Sequence, residues 1–284
     1  MSTAQISAPI TGDKLYQERA REAFPILVRQ AKAGTNIFYS DLAQELGMAN
    51  PRNLNYVLAS IGQTLELLSE KWQEKVPPIQ CLVVNKSTGL PGEGVGWFLV
   101  KKEDFGSLPL ARKKLIVKAE LNHIFAYPHW DEVLEVLELK SVEPDFTNEI
   151  ALASAGFGGG ESEAHRVLKE FVARNPKVIG VGDGILAGTT EYSLPSGDRM
   201  DVSFSGKSVW IAAEVKSSIS SVSDIVRGLF QCVKYQAVME AVVIAESTVK
   251  DVRTLLVLES EFPQALLPLK NLLGIEVVDC VSPK

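Results

Sequence analysis

The chain has 284 residues, a net charge of −6, 46% hydrophobic and 23% charged residues, enough apolar content to build one large core or two ordinary ones and too much for a disordered chain. No apolar run approaches the roughly 20 residues of a membrane span, the start lacks the basic-then-apolar layout of a secretory signal, and Cys81, Cys232 and Cys280 are too far apart for a disulfide framework or a zinc motif. A reducing cytoplasm is the expected compartment, and the acidic balance argues only mildly against nucleic acid, because the local field decides.

Leu15, Ala20, Ala23, Phe24, Leu27 and Val28 fall near helical spacing and predict an amphipathic helix over 12–33. Ser40 is placed to cap a short helix from Asp41 to Leu46, which Gly47 ends. A third helix is expected over 50–72, with Pro51 in its first turn and a stripe of Leu54, Val57, Leu58, Ile61, Leu65 and Leu68. Short helix, glycine turn and long helix form the helix-turn-helix layout. Residues 79–100 read as a β-hairpin around a Gly/Pro-rich turn, the place of a wing. Residues 1–140 are therefore expected to form a winged-helix-like domain that contacts DNA through Arg52 and Lys86. A helical domain that touches protein or nothing is the competing reading. Residues 109–139 are expected to be mostly helical, with His123 and His129 in packing or surface roles.

This order of elements over 35–98 resembles the DNA-binding half of the alkylguanine-DNA alkyltransferase family. That family's reactive cysteine sits in a Pro-Cys-His-Arg run. Here the run is Gln80-Cys81-Leu82-Val83, with no base or cation beside the thiol, so Cys81 reads as a small hydrophobe. The resemblance then implies a scaffold and a DNA contact, without methyl transfer.

Small residues and Gly158, Gly159 and Gly160 mark 141–160 as a linker. The region 161–284 reads as helix (161–176), three strands ("TEYSLP", "RMDVSF", "SVWIAAEVKS"), helix (223–239), a buried strand "AVVIAE" (241–246), a helical segment and a last strand (275–280). This is α/β with a mixed sheet and helices on its faces.

Three charges stand in two of these strands. Glu214 and Lys216 lie two apart and share a face. A turn at Ser205-Gly206-Lys207 pairs the strands and brings Asp201 beside Glu214. Adjacent carboxylates repel unless a cation lies between them, and an oxygen-rich site open to water suits Mg²⁺ or Mn²⁺. Lys216 beside them can stabilise charge developing on a phosphate. Three unconnected strand-end charges are the alternative.

With Asp201 and Glu214-Val215-Lys216, this region resembles the PD-(D/E)xK nuclease superfamily, which has the restriction-endonuclease-like fold of helix, three antiparallel strands, helix, strand. The motif's proline is absent; Met200 stands there. Gln231-x-x-x-Tyr235 resembles the helix motif of one branch, and its residues share a helix face. The resemblance implies Asp201, Glu214, Lys216, Gln231 and Tyr235 as catalytic residues. It implies Glu163 as a third metal ligand, with Glu161 in reserve, and Arg227 and Lys234 as further nucleic-acid contacts. His165 is open between a place near the site and a capping or packing role. The implied function is metal-dependent hydrolysis of DNA in restriction, anti-phage defence or repair, with no membrane partner. A homodimer or a partner subunit of a defence system fits this reading. The alternative is an inactive nuclease-like DNA-binding or regulatory subunit.

Overall fold

A computed structural model of the chain describes residues 7–99, 105–155, 162–182 and 184–283. The chain divides between Pro144 and Asp145 into two compact units, taken separately below.

In the first unit, α1 (Leu15–Ala33) and α3 (Leu54–Trp72) pack through Phe24, Leu27, Leu54, Ile61 and Leu65, all buried. Gly34 ends α1 in the left-handed conformation (φ 69°), where a Cβ would be strained. The short helix α2 runs Tyr39–Glu45. Ser40 is therefore inside it rather than its cap, and its hydroxyl turns to Asp41. Gly47 (φ 62°) makes the turn toward α3, which follows a 3₁₀ turn at Pro51–Asn53. Short helix, turn and long helix thus occur in the expected order.

The hairpin expected over 79–100 is not formed. Ile79–Leu82 is a 3₁₀ turn, and β2 (Val83–Val84) pairs in parallel with β1 (Ile37–Phe38). The Gly/Pro-rich stretch closes on itself as Asn85 bonds Leu90. It continues as a 3₁₀ turn and the one-turn helix α4 (Gly96–Leu99). Gly96 serves close packing here, since a Cβ would fall on the Phe105 side chain. Helices α5 (Leu110–Ala126) and α6 (Trp130–Val136) follow, as expected of 109–139.

The second unit begins earlier than the expected linker allows. Residues 147–155 form α7 (Thr147–Ala155), and Ala153 is buried among Ile225, Val226 and Leu229. Helix α8 (Glu163–Arg174) starts at Ser162, whose hydroxyl accepts from the His165 N–H, a cap that stabilises by about 1 kcal/mol. A five-stranded mixed sheet of order β3-β4-β5-β6-β7 then forms from Thr189–Ser193, Arg199–Ser205, Val209–Lys216, Asp251–Leu258 and Glu276–Val278. β3, β4 and β5 are antiparallel, while β5, β6 and β7 are parallel.

Helix α9 (Val222–Ala245) joins β5 to β6, and the 24-residue helix absorbs the run 241–246 expected as a strand. Its length and hydropathy match those of a membrane span. Its buried side, Leu229, Cys232, Tyr235 and Met239, packs instead on the sheet. Alternation along β5 sends Ile211, Ala213 and Val215 toward Leu168 and Val172 of α8, and Trp210, Ala212 and Glu214 toward α9. Helix α10 (Leu267–Leu273) adds to the α9 side.

Candidate active site

The β4–β5 register pairs Val202 with Ala213, and one step further places Asp201 opposite Glu214. Asp201 is held from two sides. Its Oδ2 accepts the Val215 backbone N–H at 2.8 Å, and its Oδ1 lies 3.3 Å from Nε2 of His165 on α8. That contact pulls the His165 imidazole above its ordinary pKa, an effect partly opposed by burial.

Glu214 is the buried member, 3% exposed. Burial first, and the Asp201 charge second, push its carboxyl up to about 7, against the opposing pull of Lys216 and Tyr235. Both opposing groups touch it. Lys216 Nζ donates to Oε1 at 2.7 Å, and the Tyr235 hydroxyl lies 3.1 Å from Oε2 and 2.9 Å from the Arg199 carbonyl. Gln231 Oε1 is 3.5 Å from Lys216 Nζ. Gln231 and Tyr235 stand one turn apart on α9, so one helix face meets both charges that β5 presents to it. Gly228, a turn earlier, keeps room for this approach, because a Cβ there would meet Leu256 at 2.8 Å and the Lys216 stem at 3.0 Å.

Five expected residues, Asp201, Glu214, Lys216, Gln231 and Tyr235, are therefore brought together. Glu163 is not. As the first residue of α8 its carboxylate is spent on Arg166, at 2.6 Å and 3.0 Å, and the side chain is largely exposed. Residues two apart on a helix diverge by about 200°, so the helix can aim His165 or Glu163 at Asp201, and it aims His165. Glu161 lies outside the described residues. Arg227 is engaged by the Ala153 carbonyl and Asp224, and Lys234 by Asp198 at 2.6 Å. In the first unit, Lys86 sits 5.8 Å over the Phe38 ring, and Arg52 is exposed in the 3₁₀ turn before α3. Cys81 is fully buried and its thiol is pushed up by that burial, which suits packing rather than chemistry.

Two residues beside the site carry no motif. Lys169 of α8 is buried against Glu191, and its charge is felt at His165. Glu191 falls opposite Asp201 in the β3–β4 register but has φ 54°, so its backbone leaves the strand conformation there. Among the described residues, no three His, Cys, Asp or Glu side chains are grouped to hold a metal ion. No family model matches the chain, and neither a curated protein nor a solved structure matches it.

Proposed function

We propose that the chain is a metal-dependent nuclease that hydrolyses DNA phosphodiester bonds, with Asp201, Glu214 and Lys216 at its centre. The observation that carries this reading is the buried Glu214 carboxylate beside the half-buried Asp201, with a lysine bonded to Glu214, at the edge where β4 and β5 stop pairing. The resemblance to PD-(D/E)xK nucleases supports it. The helix, the antiparallel strands and the second helix occur in that superfamily's order, although the next strand is Asp251–Leu258.

The donor set fits a divalent cation. Glu214 is held up near 7 because its ionised form lacks solvent and faces Asp201, and positive charge between the two oxygens relieves both costs. Asp201 and Glu214 would hold Mg²⁺ or Mn²⁺, with water and phosphate oxygens in the remaining positions. When bound, the ion would supply Lewis-acid polarisation of the phosphate and an acidified water. The chain's own residues do the positioning. The Val215 N–H and His165 fix the Asp201 carboxylate, and Tyr235 fixes Glu214. Lys216 brings its ammonium to the charge that grows on the phosphate as the water, giving up a proton to solvent, bonds through oxygen to phosphorus and the ester oxygen leaves with its electron pair. Gln231 steers that ammonium.

A nuclease-like subunit that binds without cutting is the second reading, and the turning of Glu163, the expected third ligand, to Arg166 is the observation on its side. Incubating supercoiled plasmid and labelled single strands with the protein in Mg²⁺, Mn²⁺ or EDTA separates the two. Nicked or shortened products with metal alone support hydrolysis, and intact substrate under every condition leaves the binding reading.

A further inference from the structure

Four basic residues of the first unit, Arg112, Lys113, Lys114 and Lys118, fall within seven consecutive positions that contain no acid. All four are on α5. Arg112, Lys114 and Lys118 are exposed, while Lys113 folds back to the Gly106 carbonyl and the Phe105 ring. The helix's acid, Glu120, is buried and tied to Lys75 at 3.0 Å, so it does not neutralise the outward face. Ala111, Lys114, Leu115, Lys118, Ala119 and Asn122 are all exposed, a side with cations and no carboxylate. Elsewhere in this unit, Arg29, Lys32 and Lys75 are consumed by Glu45, Asp131 and Glu120.

We infer that this face of α5 is a phosphate-backbone contact for nucleic acid, carried by Lys114 and Lys118. It replaces the wing as the electrostatic footprint of the first unit, and its choice of nucleic acid over other polyanions rests on the nuclease reading. Lys114 and Lys118 are one turn apart, about 6 Å along the axis, close to the spacing of successive phosphates. Such contacts position a strand without reading its bases. The face should take duplexes of unrelated sequence alike and lose affinity steeply with salt.

The test uses the full chain in EDTA, with fluorescence anisotropy on a labelled mixed-sequence duplex from 50 to 200 mM KCl. The variant carries Lys114→Gln and Lys118→Gln, two exposed changes to a good helix former, with its folding checked by circular dichroism. Two lost phosphate contacts should lower the salt slope by about 1.8, which makes the variant's loss across that range about 12-fold smaller than wild type's. The paired control Arg52→Gln, Lys86→Gln should change the slope less. An unchanged slope in the double variant overturns the assignment, as does a wild type that ignores the duplex and floats with phosphatidylserine vesicles. The nuclease reading is scored separately by wild-type cleavage of the same duplex with Mg²⁺, so a failure there leaves the binding result standing.

Discussion

Tyr235→Phe removes one oxygen and leaves the ring that packs against Met200 and Met239. The hydroxyl stands 3.1 Å from Glu214 Oε2 and 2.9 Å from the Arg199 carbonyl. A hydrogen bond to a charged group contributes about 1.5–3 kcal/mol, or about 1–2 units of pKa at 1.36 kcal/mol each. One hydroxyl hydrogen shared between two acceptors points to the lower end, about 1 unit. Glu214 already titrates near 7, so the variant should titrate near 8. The assay is kcat/KM for cleavage from pH 5.5 to 9.5 at sub-saturating Mg²⁺, where the free enzyme's ionisations govern. The acidic limb should move up by about one unit. Activity at pH 6.5 should fall about tenfold, and activity at pH 9.5 should stay within about twofold of wild type. An unmoved limb, or one uniform loss at every pH, would refute the reasoning that Tyr235 acts through Glu214.

Lys216→Met should keep Mg²⁺ binding by calorimetry while cleavage falls about 100- to 1000-fold, the usual effect of losing one preorganised charge; equal loss of metal affinity would make the lysine structural. Glu163→Ala should leave cleavage within about twofold, because that carboxylate serves Arg166. His165→Ala should lower cleavage and weaken Mg²⁺ through a loosened Asp201, and the reverse ranking would restore Glu163 to the site. The raised Glu214 carboxyl makes the metal-free fold pH-dependent. Its contribution is complete below the ordinary 4.5 and is lost as pH rises through about 7. Chemical denaturation between pH 4.5 and 8 should show this decline in wild type and less of it in Glu214→Gln; parallel curves would mean that Glu214 is not raised.

The three charges at the centre were legible because a strand's period of two and a glycine turn fix which residues meet. Ser205-Gly206-Lys207 sets the β4–β5 register, which brings Asp201 level with Glu214; that Asp201 meets His165 of α8 while Glu214 meets Tyr235 of α9 does not follow from it. Gln231 and Tyr235 were legible for the same reason at a helical period. The sequence misleads where one local pattern fits two structures. The run 241–246 is apolar and short, which suits a buried strand or the end of a helix, and α9 carried on through it. The strand lies instead at Asp251–Leu258, where Asp251 and Arg253 disguised an apolar stretch. The glycines and prolines of 89–96 read as a hairpin, yet Gly96 is needed to admit Phe105. Glu163 and His165 could not be ranked without the helix start. Once Ser162 caps α8, rotation around the helix decides between them.

The most direct measurement of the central claim pairs Mg²⁺ calorimetry with cleavage of one labelled duplex for wild type, Asp201→Asn and Glu214→Gln. Both substitutions keep the side chain's shape and remove its charge, while one acceptor oxygen of each becomes a donor NH₂. Wild type should bind Mg²⁺ and cut, and each variant should lose most of both, with the fold intact by circular dichroism. Variants that bind Mg²⁺ and cut at the wild-type rate would contradict the assignment of Asp201 and Glu214 as the metal-holding pair.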